Sequence, residues 1–109
     1  IGKGWVGEEA LAIAVYACMR HTNDFGKAII VAVNHDGDSD STGAIAGNIM
    51  GAMHGLSGIG DKWIEKLELK DVVLEVARDL CDDCLMEEFK RYRDDRWLAK
   101  YGMLHKRVL

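Results

Sequence analysis

Asn34-His35-Asp36-Gly37-Asp38-Ser39-Asp40-Ser41-Thr42-Gly43 leads without a break into Ala44-Ile45-Ala46-Gly47-Asn48-Ile49-Met50-Gly51-Ala52-Met53-His54-Gly55. The part from Asn34 to Thr42 is polar, carries an Asp at every second position of its centre, and reads as a loop. The spacing beyond it predicts a helix from about Ser41 to Leu56. Asp40, Ser41 and Thr42 then fall in its first turn, where free backbone N–H groups and the positive end of the helix dipole stabilise anions. Carboxylates as close as Asp36, Asp38 and Asp40 repel one another unless positive charge sits among them. Hard oxygen donors of this kind suit Mg²⁺, Mn²⁺ or Ca²⁺ rather than zinc. A calcium-binding EF-hand loop does not fit: with Asp36 as its first position, the required Gly falls on Ser41 and the required Glu on Gly47. Asp and Ser ahead of a helix are also common caps, but capping does not call for two further Asp.

The flanks continue the helical reading. Residues Gly7 to Arg20 predict a helix whose apolar surface runs nearly all round, hence burial on several sides. Asp24 is a candidate N-cap for a second helix with Phe25, Ala28, Ile29, Ala32 and Val33 in one stripe. Asp61 and Asp71 are candidate N-caps for two more, the latter with Val72, Val73, Val76, Ala77 and Leu80 on one face. Gly43, Gly47, Gly51 and Gly55 recur every four residues, and Gly inside a helix costs roughly 1 kcal/mol relative to Ala. Close approach of another helix backbone along that groove is the expected reason. The fold class is therefore all-α, a multi-helical bundle.

Composition narrows the function classes. The chain has 109 residues, 49% apolar and 29% charged, which is globular composition and enough for one core. A net charge of −4 and a pI near 5.5 argue against a nucleic-acid partner. The longest apolar run, Ala10 to Met19, is too short to span a bilayer. Three Cys and no signal-like start lead to the expectation of a reducing, cytoplasmic setting. Eleven of the twelve Gly lie in residues 1–60, and the remainder is rich in Glu, Lys and Arg. A site-bearing region buttressed by surface helices accounts for that asymmetry.

Gly37-Asp38-Ser39-Asp40-Ser41, with Thr42-Gly43-Ala44-Ile45-Ala46-Gly47-Asn48-Ile49 after it, resembles the C-terminal metal motif of the ADP-ribosylglycohydrolase family. The resemblance extends to Gly4-Trp5-Val6-Gly7-Glu8-Glu9-Ala10-Leu11-Ala12, to Ala32-Val33-Asn34-His35, and to Asp61-Lys62-Trp63-Ile64-Glu65-Lys66-Leu67-Glu68. It covers about residues 2–80 and implies a domain made of the C-terminal part of that all-α fold over 1–80. Residues 81–109 then form a helical extension without a functional reading.

The resemblance further implies a binuclear Mg²⁺ or Mn²⁺ centre with Asp38, Asp40 and Ser41 as metal ligands and Asp40 as the bridge. The implied chemistry is hydrolysis of the bond between C1 of a ribose of ADP-ribose and its acceptor, an ADP-ribosylated protein or a small ADP-ribose ester or glycoside. Asn34, His35 and Asp36 are candidate substrate contacts; Asp36 stands where the family often has a small residue. Family members complete their metal shell from an N-terminal Thr/Ser-Asp-Asp-Thr type motif, which these residues lack. Asp82-Asp83 and Asp94-Asp95 have no flanking hydroxyls. The expectation is therefore half a metal site, inactive alone, whose partner is the missing N-terminal half or another copy. The alternative is a non-catalytic helical remnant acting as an assembly or binding module.

The remaining residues have plainer readings. Cys81-Asp82-Asp83-Cys84 supplies too few ligands for zinc, and its carboxylates raise rather than lower thiol pKa values. Trp5 is expected in core packing, Glu8 and Glu9 as complements of the helix dipole, and Met50 and Met53 as core fillers. His21, His54 and His105 read as structural. Lys90-Arg91-Tyr92-Arg93, among acids, reads as a solvated mixed-charge face.

Overall fold

Small side chains set the packing of this molecule. The computed structural model describes residues 1–81 and 99–101. Its elements are α1 (Gly7–Arg20), α2 (Phe25–Val33), α3 (Ser39–Gly58), α4 (Asp61–Ile64) and α5 (Lys70–Cys81), which makes the described residues all-α as the sequence predicts. Helix α1 places Glu8 and Glu9 in its first turn and Arg20 in its last, matching the macrodipole. Asp24 caps α2, its side chain accepting the Lys27 N–H at 2.9 Å. Two other expected caps are displaced. Gly60 holds the N-cap position of α4, ahead of Asp61, and Asp71 lies inside the first turn of α5.

Residues 1–67 and 68–109 form two compact units. In the first, α1, α2 and α3 pack on one another around Ala14, Ala17 and Cys18 of α1, Ala28 and Ala32 of α2, and Ala46 and Met50 of α3. Phe25, Ile29, Val31, Ile45 and Ile49 close over this seam. The alanines let the helices approach, so the close-packing role expected of the glycine row belongs mostly to them. A methyl group at Gly43 would meet Val33 Cγ1 at 2.6 Å, but at Gly47 and Gly51 it would make only ordinary contacts of 3.9 and 4.0 Å. Gly55 leaves the helix altogether, with φ +65° and ψ −176°, so α3 is broken there.

Two apolar expectations are corrected. Trp5 is 69% exposed rather than in the core, and Met53 is exposed on α3. His54 has the structural part foreseen for it, pairing its Nε2 with the Thr22 carbonyl. At the far edge of the unit, Phe25 and Trp63 meet edge to face with centroids 5.9 Å apart.

In the second unit, Lys100 Nζ lies 2.5 Å from Glu75 and 2.6 Å from Asp79 of α5, and the Tyr101 hydroxyl donates to Asp79 at 2.5 Å. Asp79 is held below the usual carboxylate range by the Lys100 and Tyr101 hydrogen bonds. Cys84, the mixed-charge run at 90–93, both late Asp-Asp pairs and His105 lie outside the described residues. No helix among the described residues is long and apolar enough to cross a membrane.

Candidate metal site

The site is built by three segments: the glycine-flanked residues 2–4, the loop after α2, and the first turn of α3. Gly2 and Gly4 adopt φ +94° and +79°, the left-handed region open to glycine. That bend lets one carboxylate oxygen, Glu9 Oε2, accept the N–H groups of both Lys3 and Gly4, at 3.0 and 3.1 Å. So fixed, the Lys3 carbonyl accepts the Asp38 N–H at 2.8 Å. Gly37 lies against the same carbonyl: a Cβ there would stand 1.8 Å from the Lys3 oxygen. Lys3 also reaches Asp36 through its ammonium at 3.2 Å, an exposed pair of small energetic weight.

From inside, the loop is held by His35 and Thr42. Thr42 is fully buried, and its hydroxyl lies 2.7 Å from the Ala32 carbonyl and 3.0 Å from His35 Nε2. The other imidazole nitrogen, Nδ1, accepts the Gly37 N–H at 3.0 Å. Ser39 Oγ donates back to the His35 carbonyl at 3.3 Å.

Within this frame Asp38 occupies the N-cap position of α3, yet its side chain makes no cap hydrogen bond, in contrast to Asp24 on α2. The Asp40 carboxyl group is its neighbour at the same helix start. The interaction with Asp38 and the Ser41 N–H donated to Asp40 Oδ1 at 2.8 Å hold Asp40 below the usual carboxylate range. The ion pairs among the described residues engage Asp24, Asp36, Glu75 and Asp79, and leave out both Asp38 and Asp40. Two carboxyl groups and the neighbouring Ser41 thus share the start of α3.

Asp38, Asp40 and Ser41 share the start of α3, with Ser41 bonded to Asp40, whereas Asp36 pairs with Lys3. Asn34 is exposed at the C-cap of α2, its N–H on the Ile30 carbonyl. Lys3, Glu9 and Gly37 position the loop, and none was singled out for this from sequence. Their signal was the Gly-Lys-Gly spacing at 2–4, which marks positive φ. As a donor set, Asp38, Asp40 and Ser41 have the hard oxygens that Mg²⁺ or Mn²⁺ takes, but three residues fall short of an octahedral shell. No group of three or more His, Cys, Asp or Glu among the described residues gathers as a metal cage.

The ADP-ribosylglycohydrolase model matches residues 1–93, spanning the whole arrangement. The chain belongs to the ADP-ribosylglycohydrolase family. Over 74 residues, 68% of the chain, it is 35% identical to the ADP-ribosylarginine hydrolase Tri1 of Pseudomonas putida. The ADP-ribosyl-[dinitrogen reductase] glycohydrolase of Rhodospirillum rubrum is 41% identical over 59 residues, 54% of the chain. The ADP-ribosylhydrolase ARH1 of Dictyostelium discoideum is 32% identical over 81 residues, 72% of the chain. The chain spans about a fifth of the length of each of these relatives (20%, 20% and 21%). No solved structure matches it. The match to this glycohydrolase family passes beyond residues 2–80, where the sequence motifs carry the resemblance.

Proposed function

We propose that this chain is the loop-bearing part of an ADP-ribosylglycohydrolase and contributes half of a binuclear Mg²⁺ or Mn²⁺ site through Asp38, Asp40 and Ser41. The observation that carries this reading is the Asp at the N-cap of α3 that does not cap. It shares the helix start with a second carboxyl group, that of Asp40, neither has an ion pair among the described residues, and the loop is clamped from both sides. A helix start that needed only a cap would use Asp38 as α2 uses Asp24. Two adjacent carboxylates are costly unless a cation joins them.

The substrate class is an ADP-ribosylated protein or a small ADP-ribose ester or glycoside, in keeping with the ADP-ribosylarginine and ADP-ribosyl-protein hydrolases among the relatives. Asp38, Asp40 and Ser41 would hold divalent ions there, whose positive charge would favour a ribose diol and a water beside the bond to be cleaved. The chain's own part is to hold two carboxylates and a hydroxyl in register at the end of a rigid helix. The remaining ligands come from a segment of the family domain outside these 109 residues, so this chain has no hydrolase activity alone. We place the protein in the cytoplasm.

Calorimetric titration with Mn²⁺ and Mg²⁺, beside Asp38→Ala/Asp40→Ala, tests the reading. The expected result is binding at or below about 1 mM that the double variant abolishes. It should tighten when the region upstream of the matched segment of the Rhodospirillum rubrum relative is added, with ADP-ribosylarginine hydrolysis only in that mixture. Equal binding by the double variant overturns the metal assignment and leaves the non-catalytic module.

A further inference from the structure

We infer that His35 is a positioning residue of this site, fixed as the neutral Nε2–H tautomer and acting on Asp38 and Asp40 through the loop rather than on substrate. The inference rests on the metal reading above only for its functional consequence; the tautomer is set by the hydrogen bonds. Gly37 offers a single N–H, 3.0 Å from His35 Nδ1, so that nitrogen must present its lone pair. Thr42 reaches the same answer from the other side of the ring. Its hydroxyl has one hydrogen and lies near three carbonyls, those of Ala32 at 2.7 Å, Ser39 at 3.1 Å and Asp38 at 3.2 Å. Every one of these is an acceptor, so the hydrogen goes to one of them, and Oγ1 is left to accept from His35 Nε2 at 3.0 Å. Two independent donors and acceptors demand one tautomer.

Both nitrogens are spent inside the protein, which removes His35 from the substrate-contacting role its sequence position suggested. What the ring does instead is join two parts of the loop. On one side it holds Gly37, whose neighbour Asp38 is tied to Lys3; on the other it holds Thr42, the buried anchor of the first turn of α3. The residues between these two anchors are Asp38, Ser39, Asp40 and Ser41, the proposed donors among them. Losing the ring frees the Gly37 N–H and leaves the buried Thr42 hydroxyl without its donor.

Substitution separates the two contacts. The Asn side-chain oxygen reproduces the acceptor near Nδ1, whereas the longer Gln places an N–H near Nε2. The probe is Mn²⁺, with the free ion followed by electron paramagnetic resonance on the full chain. His35→Leu should weaken Mn²⁺ binding about tenfold, the low end for partners that orient metal ligands. His35→Asn should remain within about threefold of the parent and His35→Gln should behave as Leu, because Gly37 is the contact next to Asp38. In metal-free protein, long-range ¹H–¹⁵N spectra should show Nδ1 unprotonated and Nε2 protonated, with slow exchange of the Gly37 amide that Leu and Gln abolish and Asn restores.

A protonated Nδ1 in the metal-free protein, or Mn²⁺ binding by His35→Leu equal to the parent, overturns the inference. Should the Leu variant fail to fold, the order of Asn over Gln decides it, and the reverse order overturns it. Should the parent chain fail to bind Mn²⁺, the half-site reading falls; the tautomer and Gly37 exchange then decide the role of His35 as a loop clamp by themselves.

Discussion

Gly37 is the residue on which the loop most depends. Any side chain there meets the Lys3 carbonyl, a backbone group that moves only if the whole Gly2–Gly4 bend moves. Gly37→Ala should cost about 2 kcal/mol, as overpacking does, and should lower the urea midpoint. Gly7→Ala is the control: nothing lies within 4 Å of a Cβ there, so its midpoint should not fall below the parent's. A different residue-level effect belongs to Cys18, buried in the seam with its Sγ toward the Ala46 carbonyl at 3.7 Å. Burial pushes its thiol above the ordinary value of 9.0. Below that value both folded and unfolded chains keep the proton. Above it the unfolded chain ionises first, so stability falls as pH rises. Stability at pH 10 relative to pH 8 should therefore drop less in Cys18→Ala than in the parent. That Asp38, Asp40 and Ser41 stand together at one helix start was legible in the sequence because loop and helix are contiguous. The services of Lys3 and Glu9 were not, because they depend on a bend more than thirty residues upstream arriving against that loop.

Helix α3 shows where reading by element succeeds and where it fails. Its existence was plain from spacing, and its start differs by two residues from the expected one because Ser39 and Asp40 are already helical. The glycine row was read as one groove, yet four glycines at one spacing have three different surroundings. Tertiary contact separates the first three, Val33 crowding Gly43 while Gly47 and Gly51 have room, and backbone conformation sets apart Gly55, which ends the regular helix. Gly47→Ala should stabilise the protein by about 0.5–1 kcal/mol, since the new methyl finds Ile29 Cδ1 at van der Waals distance and the unfolded chain loses freedom. Gly43→Ala should destabilise by about 1 kcal/mol because Val33, stiff at χ1, cannot swing aside. In a Val33→Ala background the sign should reverse. A thermal-denaturation double-mutant cycle reads both. If Gly43→Ala stabilises in the parent, Val33 yields more readily than its branched side chain implies.

At the scale of the molecule, the core is too light for the apolar surface it leaves open. Among the described residues, six of the eight buried apolar ones are Ala, with Met50 the largest. Alanine burial contributes far less than burial of Leu or Ile, since stabilisation scales with apolar area. Meanwhile Leu11, Val15 and Met19, one stripe at four-residue spacing on α1, are 52%, 38% and 73% exposed. The nearly all-round apolar character of α1 was legible, and it gave burial on several sides; one side is covered by α2 and α3. The rest of the family domain, which supplies the remaining ligands in the reading proposed above, is one cover this stripe would fit. In the chain studied by itself, a second copy offers it apolar cover. The melting temperature should therefore rise with protein concentration, by mass action, and sedimentation velocity should show reversible association. Leu11→Glu/Met19→Glu should remove the concentration dependence while leaving the seam of Ala14, Ala17 and Cys18 intact, since neither residue belongs to it. A melting temperature independent of concentration in the parent would mean that the three-helix seam is sufficient by itself. The exposed stripe would then have no part in assembly.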